Sequence, residues 1–133
     1  MIVLDTHALV WWASADSHLS DNARTMIDAE LAHEDGLLIV CTISVWEIAM
    51  LVQSGRLTLS MSVDDWIDTA SRIDGLHIAP LDSRIAIEST RLPGDFHKDP
   101  ADRMIVALAR QLNAVLITAD HKIRSYQHVK TMW

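Results

Sequence analysis

Short apolar segments alternate with helical patterns along this chain of 133 residues, and this alternation constrains the fold more than any other feature. Segments rich in strand-forming residues occupy positions 2–5, 37–41, 77–79 and 115–118. Between them, apolar residues recur three or four positions apart, which is typical of helices packed on one face. Parallel strands need crossover connections of this length. The sequence therefore predicts an α/β fold, a three-layer α/β/α domain with a central, mainly parallel sheet.

Length and composition predict one domain covering residues 1–133, because a chain of this size with 50% apolar residues can bury a single core of ordinary size. No run of eighteen apolar residues is present, and Asp5 interrupts an N-terminal apolar segment that has no basic leader. Cys41 is the only cysteine and ends an apolar segment, so we expect a reduced core residue. These features predict a cytoplasmic protein without membrane contact, disulfides or a cysteine-rich zinc site.

Residues that commonly cap helices mark the predicted helix ends. The predicted helices are 21–31 capped by Asp21, 44–53 starting at Ser44 and ended by Gly55, one starting at Ser62 with Asp65, 82–90, and a long one from Asp99-Pro100 to Asn113. Ser44 and Glu47 also match a capping box, in which the third helical residue bonds back to the cap. Pro93 and Gly94 predict a loop over residues 91–98.

Four carboxylates stand where predicted strands end or predicted helices begin. Asp5 and Asp120 follow strands, while Glu47 and Asp102 lie in the first turns of helices. These positions converge on one crevice at the carboxyl edge of a parallel sheet. Clustered carboxylates cannot all stay ionised unless a cation lies between them, and hard divalent cations prefer oxygen ligands. The pattern predicts a Mg²⁺ or Mn²⁺ site.

Each of these acids also has an ordinary structural interpretation. Glu47 belongs to the capping box, Asp120 can cap a short helix, and Asp99 can cap a helix with Pro100 at its first position. The position of Asp5 favours a functional role, because burying a charged side chain at the end of a strand that is covered on both faces is costly unless the charge has a partner. The occurrence of all four at one edge of one sheet favours the site over the separate interpretations.

Four ordered motifs resemble the PIN domain, namely LDTHAL at 4–9, SVWEI at 44–48, FHKDPADRMIV at 96–106 and LITAD at 116–120. They are most similar to the VapC-type toxins of type II toxin–antitoxin systems, and the similarity runs essentially from end to end. The resemblance implies a metal-binding catalytic centre, with the catalytic and metal-binding positions falling on Asp5, Glu47, Asp102 and Asp120.

The resemblance also implies supporting residues beside these acids. Asp99 matches a recurrent acidic position, and Thr6 and Thr118 supply hydroxyls that can orient a carboxylate or bond only to backbone. His7 and His97 are expected to be hydrogen-bond partners rather than ligands, because Mg²⁺ prefers oxygen. Zinc hydrolysis finds no support, since neither a His-Glu-x-x-His motif nor spaced cysteines occur.

The implied function is that of a Mg²⁺- or Mn²⁺-dependent endoribonuclease, the toxin of a type II pair. One or two ions would activate water for attack on an RNA phosphodiester and leave a 5′-phosphate and a 3′-hydroxyl. The resemblance further implies a homodimer and a cognate antitoxin that covers the acidic groove. Trp11 and Trp12 are interpreted mainly as packing residues, with partner contacts as the alternative.

Other function classes remain open from the residues alone. A receiver-like phosphoacceptor domain would use an acid after the first strand and a hydroxyl after a later one, as Asp5 and Thr118 do, but it leaves Glu47 and Asp102 unexplained. A haloacid-dehalogenase-type phosphatase expects Asp at position 7, where this chain has His7. A catalytically inactive, partner-binding PIN domain is the third alternative.

The formal charge of −7 argues against non-specific coating of nucleic acid, which depends on neutralising phosphates with Lys and Arg. The basic residues are concentrated in the last third of the chain. These basic residues have two interpretations: they rim the acidic site and steer a polyanion towards it, or they are scattered solvated charges. The residues in question are Lys98, Arg103, Arg110, Lys122, Arg124 and Lys130.

Overall fold

A parallel sheet forms the centre of the fold in the computed structural model, which describes residues 1–133. Its strands are β1 (Ile2–Leu4), β2 (Leu38–Cys41), β3 (Leu76–Ala79), β4 (Val115–Ile117) and β5 (Thr131–Met132). Every neighbouring pair is parallel, and the order across the sheet is β3-β2-β1-β4-β5. The chain adds β2 and β3 on one side of β1 and then crosses to the other side for β4. The topological switch point therefore lies between β1 and β4, where ligands bind in open α/β sheets.

Helices cover both faces of the sheet, which confirms the predicted three-layer α/β/α fold. They are α1 (Thr6–Ala13), α2 (Asp21–Leu31), α3 (Thr42–Gln53), α4 (Val63–Ser71), α5 (Ser83–Ser89), α6 (Pro100–Leu112) and α7 (His121–Arg124). Alternate residues of β1 point to opposite faces. Ile2 and Leu4 join a core with α1 to α4, whereas Val3 joins a core with α5 to α7. β1 is thus buried from both sides.

The start of α3 differs from the sequence prediction. The helix begins at Thr42, directly after β2, with Cys41 as an N-cap that makes no side-chain bond. The predicted capping box of Ser44 and Glu47 is therefore wrong. Ser44 is fully buried inside the helix, where its hydroxyl accepts a hydrogen bond of 2.9 Å from Thr6 Oγ1. Glu47 consequently lies in the second turn of α3, and its side chain has no capping role.

Most other predicted helix ends are confirmed. Ser62 and Asp82 cap α4 and α5 through side-chain oxygens, and Asn113 ends α6 in the left-handed conformation. The cap of α2 is Ser20 rather than Asp21, which is the first helical residue, because the Ser20 hydroxyl reaches the N–H three residues on. The longest helix, α6, has 13 residues, and none of the seven is long and apolar enough to cross a membrane.

Candidate metal centre

The four predicted acids lie together in one pocket of about 370 Å³, which we call the acidic pocket. It is lined by Asp5, His7, Trp11, Glu47, Asp99, Asp102, Ala119 and Asp120. The pocket lies beyond the carboxyl ends of β1 and β4, at the topological switch point. Segments more than one hundred residues apart therefore contribute carboxylates to the same small space.

Asp5 is held by two hydrogen bonds at the end of β1. Its Oδ1 accepts the backbone N–H of Thr6 at 2.7 Å, and its Oδ2 accepts the hydroxyl of Thr118 at 2.7 Å. The residue is only 6% exposed. Burial raises the pKa of Asp5, while the two hydrogen bonds act in the opposite direction. Its carboxylate is fixed in place by these two hydrogen bonds.

Thr118 links two of the acids. The same fully buried hydroxyl that donates to Asp5 accepts the backbone N–H of Asp120 at 3.0 Å. Asp120 in turn caps α7, because its Oδ1 accepts the N–H of Ile123 at 3.1 Å. Thr6, the other predicted hydroxyl, donates instead to Ser44 and contacts Asp5 through its backbone N–H alone. Of the two threonine side chains, only that of Thr118 supports the acids directly.

Asp102 is a second acid of the acidic pocket whose pKa is raised. It follows Asp99, which caps α6 by accepting the Asp102 N–H at 3.2 Å. Burial raises the pKa of Asp102 to about 8, with further contributions, in decreasing order, from the charges of Asp5, Asp99, Asp120 and Glu47. The raised pKa of this carboxyl reflects its burial and the neighbouring negative charges, and a bound cation would favour its ionised form.

His97 is the residue of this site that the sequence did not predict as a metal ligand. Its Nε2 lies 3.1 Å from Asp102 Oδ2, yet this buried nitrogen makes no hydrogen bond. One ligand atom each of His97, Asp102 and Asp120 lie within 4.8 Å of one another, close enough to hold a metal ion. Carboxylate oxygens with one imidazole nitrogen form a donor set that fits a divalent cation.

Trp11 lies closer to the site than its predicted packing role implies. It is half-buried on α1 and lines the acidic pocket, while its ring contacts the rings of His7 at 5.5 Å and Trp133 at 5.7 Å. Its apolar edge also packs on the core that Ile2 and Leu4 join. Trp11 therefore forms an aromatic wall of the pocket as well as packing against the core.

Three of the predicted basic residues serve structural roles rather than rimming the acidic pocket. Arg103 donates to the backbone carbonyls of Ser89, Phe96 and His97 at 2.7 to 3.1 Å. Arg110 and Lys130 lie at the other end of α6, where they bond to His128 and Asn113. The residues that remain exposed on segments next to the acids are Lys98, Lys122 and Arg124.

Comparison with known proteins agrees with the predicted family. The PIN domain family model matches residues 2–129. Ribonuclease VapC22 of Mycobacterium tuberculosis (strain ATCC 25618 / H37Rv) is 33% identical over 135 residues, covering 99% of this chain and 98% of that protein. Among solved structures, VapBC2 from Rickettsia felis, bound to a DNA fragment from its promoter, has a TM-score of 0.69 at 17% identity, covering 99% and 98% of the two chains. DNA-bound VapBC from Salmonella typhimurium has a TM-score of 0.66 at 16% identity with the same coverage. The chain therefore belongs to the PIN-domain family and groups there with the VapC proteins.

Proposed function

We propose that this protein is a metal-dependent endoribonuclease and the toxin of a type II toxin–antitoxin pair. The observation that carries the proposal is the acidic pocket, which gathers four carboxylates from distant segments and has no lysine or arginine among its lining residues. The 33% identity to a protein named as a ribonuclease supports the reaction class.

The proposed ligands are Asp5, Glu47, Asp102 and Asp120, holding Mg²⁺ or Mn²⁺. Bound divalent cations would supply an activated water and neutralise the charge that develops on the phosphate and the departing 3′ oxygen. The chain itself supplies position. Thr118 holds the Oδ2 of Asp5 and the backbone of Asp120, so the two carboxylates that flank the switch point keep a set spacing.

The substrate we propose is an RNA phosphodiester, cut to a 5′-phosphate and a 3′-hydroxyl. An acidic surface repels a polyanion unless cations cover it, so the metal would both bind substrate and take part in the reaction. The exposed Lys98, Lys122 and Arg124 stand on the segments that carry the acids and are suited to contact flanking phosphates.

Substitution of Asp5 by Asn tests this proposal. The amide keeps one acceptor oxygen, so one of the two hydrogen bonds from the Thr6 N–H and the Thr118 hydroxyl is lost together with one ligand charge, while the surrounding packing is expected to preserve the fold. We expect cleavage of a fluorogenic RNA in Mn²⁺ to fall by about 100-fold or more. Asp68→Asn is the matched control, because Asp68 is exposed on α4 and pairs with Arg72 away from the pocket. Normal cleavage by a folded Asp5→Asn variant would refute the proposal.

A cognate antitoxin is the proposed protein partner. The solved neighbours named VapBC support a partner protein for this chain, and an apolar groove adjoins the acidic pocket. Trp46 and Met50 of α3 line this groove, and Trp46 is 56% exposed. A large exposed tryptophan beside charged groups is typical of interaction surfaces. Co-purification with the product of an adjacent gene, and growth rescue by it, would test this assignment.

We also propose a homodimer and a single domain covering residues 1–133. The single-domain assignment is supported by the central sheet, since both cores pack on β1. The homodimer is an expectation from the family, and sedimentation equilibrium of the purified protein tests it. A monomer at micromolar concentration would contradict the dimer alone.

The alternative functions are less well supported. Receiver-like domains have the flavodoxin-like strand order 2-1-3-4-5, whereas this sheet has the order β3-β2-β1-β4-β5. An inactive PIN domain would require a pocket unable to bind cations, which Mn²⁺ calorimetry can test directly. The presence of all four acids in one pocket favours an active nuclease over an inactive PIN domain.

A further inference from the structure

We propose that His97 is a nitrogen ligand of the metal in the acidic pocket and shifts its preference from Mg²⁺ towards Mn²⁺. The inference rests on the proposed function only in requiring that the pocket binds a divalent cation.

The spacing of the three groups matches ligands of one ion. His97 Nε2 and Asp102 Oδ2 are 3.1 Å apart, and an oxygen of Asp120 completes a set whose members lie within 4.8 Å of one another. Two adjacent ligands of an octahedral ion, each at about 2.1 Å, are separated by about 3 Å. The observed separation fits neighbouring ligands of a shared ion, and it also fits a direct ion pair between a protonated His97 and Asp102.

The unsatisfied nitrogen supports coordination over a hydrogen bond. His97 Nε2 is buried and has no hydrogen-bond partner, although Asp102 Oδ2 is within reach. Buried polar atoms without a partner are rare in native proteins, and each requires an explanation such as an ion. Coordination through Nε2 would place the ring proton on Nδ1, so the long 3.4 Å contact from the Asp99 N–H would be given up.

The loop that carries His97 is fixed in position next to α6. Arg103, the neighbour of Asp102, donates to the carbonyls of Phe96 and His97 at 3.0 and 3.1 Å. The Phe96 ring packs on the Tyr126 ring with 4.6 Å between centroids, and the Tyr126 hydroxyl bonds to another carbonyl of the loop. The backbone of His97 is therefore anchored by the residue that follows Asp102, which fixes the position of the loop relative to the start of α6.

Nitrogen coordination has a consequence for metal choice. Mg²⁺ is bound almost wholly through oxygen and keeps much of its water, whereas first-row transition metals accept imidazole readily. An imidazole beside three or four carboxylates therefore adds to the affinity for Mn²⁺ and little to that for Mg²⁺.

Isothermal titration with MnCl₂ and MgCl₂ and pulsed electron paramagnetic resonance of the Mn²⁺-loaded full-length protein test the proposal. The wild-type spectrum is expected to contain a ¹⁴N coupling from a directly bound imidazole. In His97→Gln, that coupling disappears and the Kd for Mn²⁺ rises about tenfold, while the Kd for Mg²⁺ changes less than about twofold. His7→Gln is the matched control, since His7 is the histidine that lines the acidic pocket but is not in the ligand group, and this variant is expected to retain the coupling.

The outcomes separate this inference from the proposed function. Two results would refute the nitrogen ligand and leave the nuclease proposal standing. One is Mn²⁺ binding without a ¹⁴N coupling in the wild-type protein, and the other is an equal loss of affinity for Mn²⁺ and Mg²⁺ in His97→Gln. A wild-type protein that binds neither cation would overturn both. The wild-type spectrum decides the question even where the variant fails to fold.

Discussion

Replacing Asp102 by Asn is expected to stabilise the metal-free protein while abolishing cleavage. The pKa of Asp102 is raised from 3.8 to about 8, so the folded state retains a proton that the unfolded chain releases. Between about pH 4 and pH 8 the native state binds more protons than the unfolded state, and stability therefore falls as pH rises through this window. Above pH 8 the stability that comes from the retained proton is fully lost, because Asp102 is then charged in both the folded and the unfolded state.

The size of the gain in stability follows from the difference between the pKa values of Asp102 in the folded and unfolded states. The difference between a pKa of 3.8 and one of about 8 corresponds to an upper limit of roughly 6 kcal/mol at about 1.36 kcal/mol per pH unit. The Asp102 side chain is 15% exposed, so salt and water reduce the repulsion. We expect Asp102→Asn to gain about 2 kcal/mol at pH 8 in EDTA, or about 6–10 °C in Tm for a chain of this size. At pH 5 the wild-type side chain is protonated in the folded state but mostly ionised in the unfolded chain, so about a third of the gain should remain.

Thermal unfolding in EDTA at pH 5 and pH 8, together with cleavage of a fluorogenic RNA, measures both effects. Asp68→Asn removes an exposed acid of α4 and should leave both quantities nearly unchanged. At 100 times its Kd, Mn²⁺ should raise the free energy of unfolding of the wild-type protein by about 2.7 kcal/mol and so raise its Tm, with a smaller increase for Asp102→Asn. An Asp102→Asn protein no more stable than wild type at pH 8 in EDTA would show that the acids do not repel one another as inferred.

Two further substitutions test the residues that hold the site. Thr118→Val removes the donor to Asp5 and the acceptor of the Asp120 N–H, so we expect a loss of about 1–3 kcal/mol in urea unfolding and a 10- to 100-fold fall in cleavage. Full activity in this variant would show that Asp5 needs no orienting hydroxyl. Arg103→Lys loses the planar fork that binds three carbonyls, and we expect about 1–2 kcal/mol of destabilisation and faster proteolysis within residues 91–98. If protease cut residues 91–98 of this variant no faster than those of the wild-type protein, the anchoring role of Arg103 would be contradicted.

The three-layer architecture could be predicted from the sequence because each of the first four strands is an apolar segment bounded by turn or cap residues. β5 escaped prediction because two residues, Thr131 and Met132, are too short for any periodicity, and their strand state depends on pairing with β4. The start of α3 was misplaced for a related reason. The Ser44 to Glu47 spacing is a local signal, whereas the helix begins where β2 ends, and the Ser44 hydroxyl is needed by Thr6 across the interface.

The four acids could be placed from sequence because their positions relative to strands and helices are local facts that the parallel sheet converts into proximity. His97 could not be placed this way. Its position depends on a loop whose path is set by Arg103 and Tyr126, which lie outside the loop in sequence. No periodicity or spacing encodes such contacts, although the proximity of His97 to Asp102 in sequence was a signal that loop and helix would meet.

The location of the acidic pocket also explains how the fold tolerates it. Burying these acids, and placing them next to one another, destabilises the native state, and the raised pKa values of Asp5 and Asp102 reflect first the burial and then the neighbouring charges. The opposing stabilisation comes from β1, whose Val3 and Leu4 are fully buried in separate cores on either side of the sheet. Each such side chain contributes about 1.5–3 kcal/mol, comparable to the repulsion estimated for Asp102. Substitutions in either core should therefore be tolerated far better when a divalent cation is bound, so that folding and metal binding are coupled through the strand that ends in Asp5.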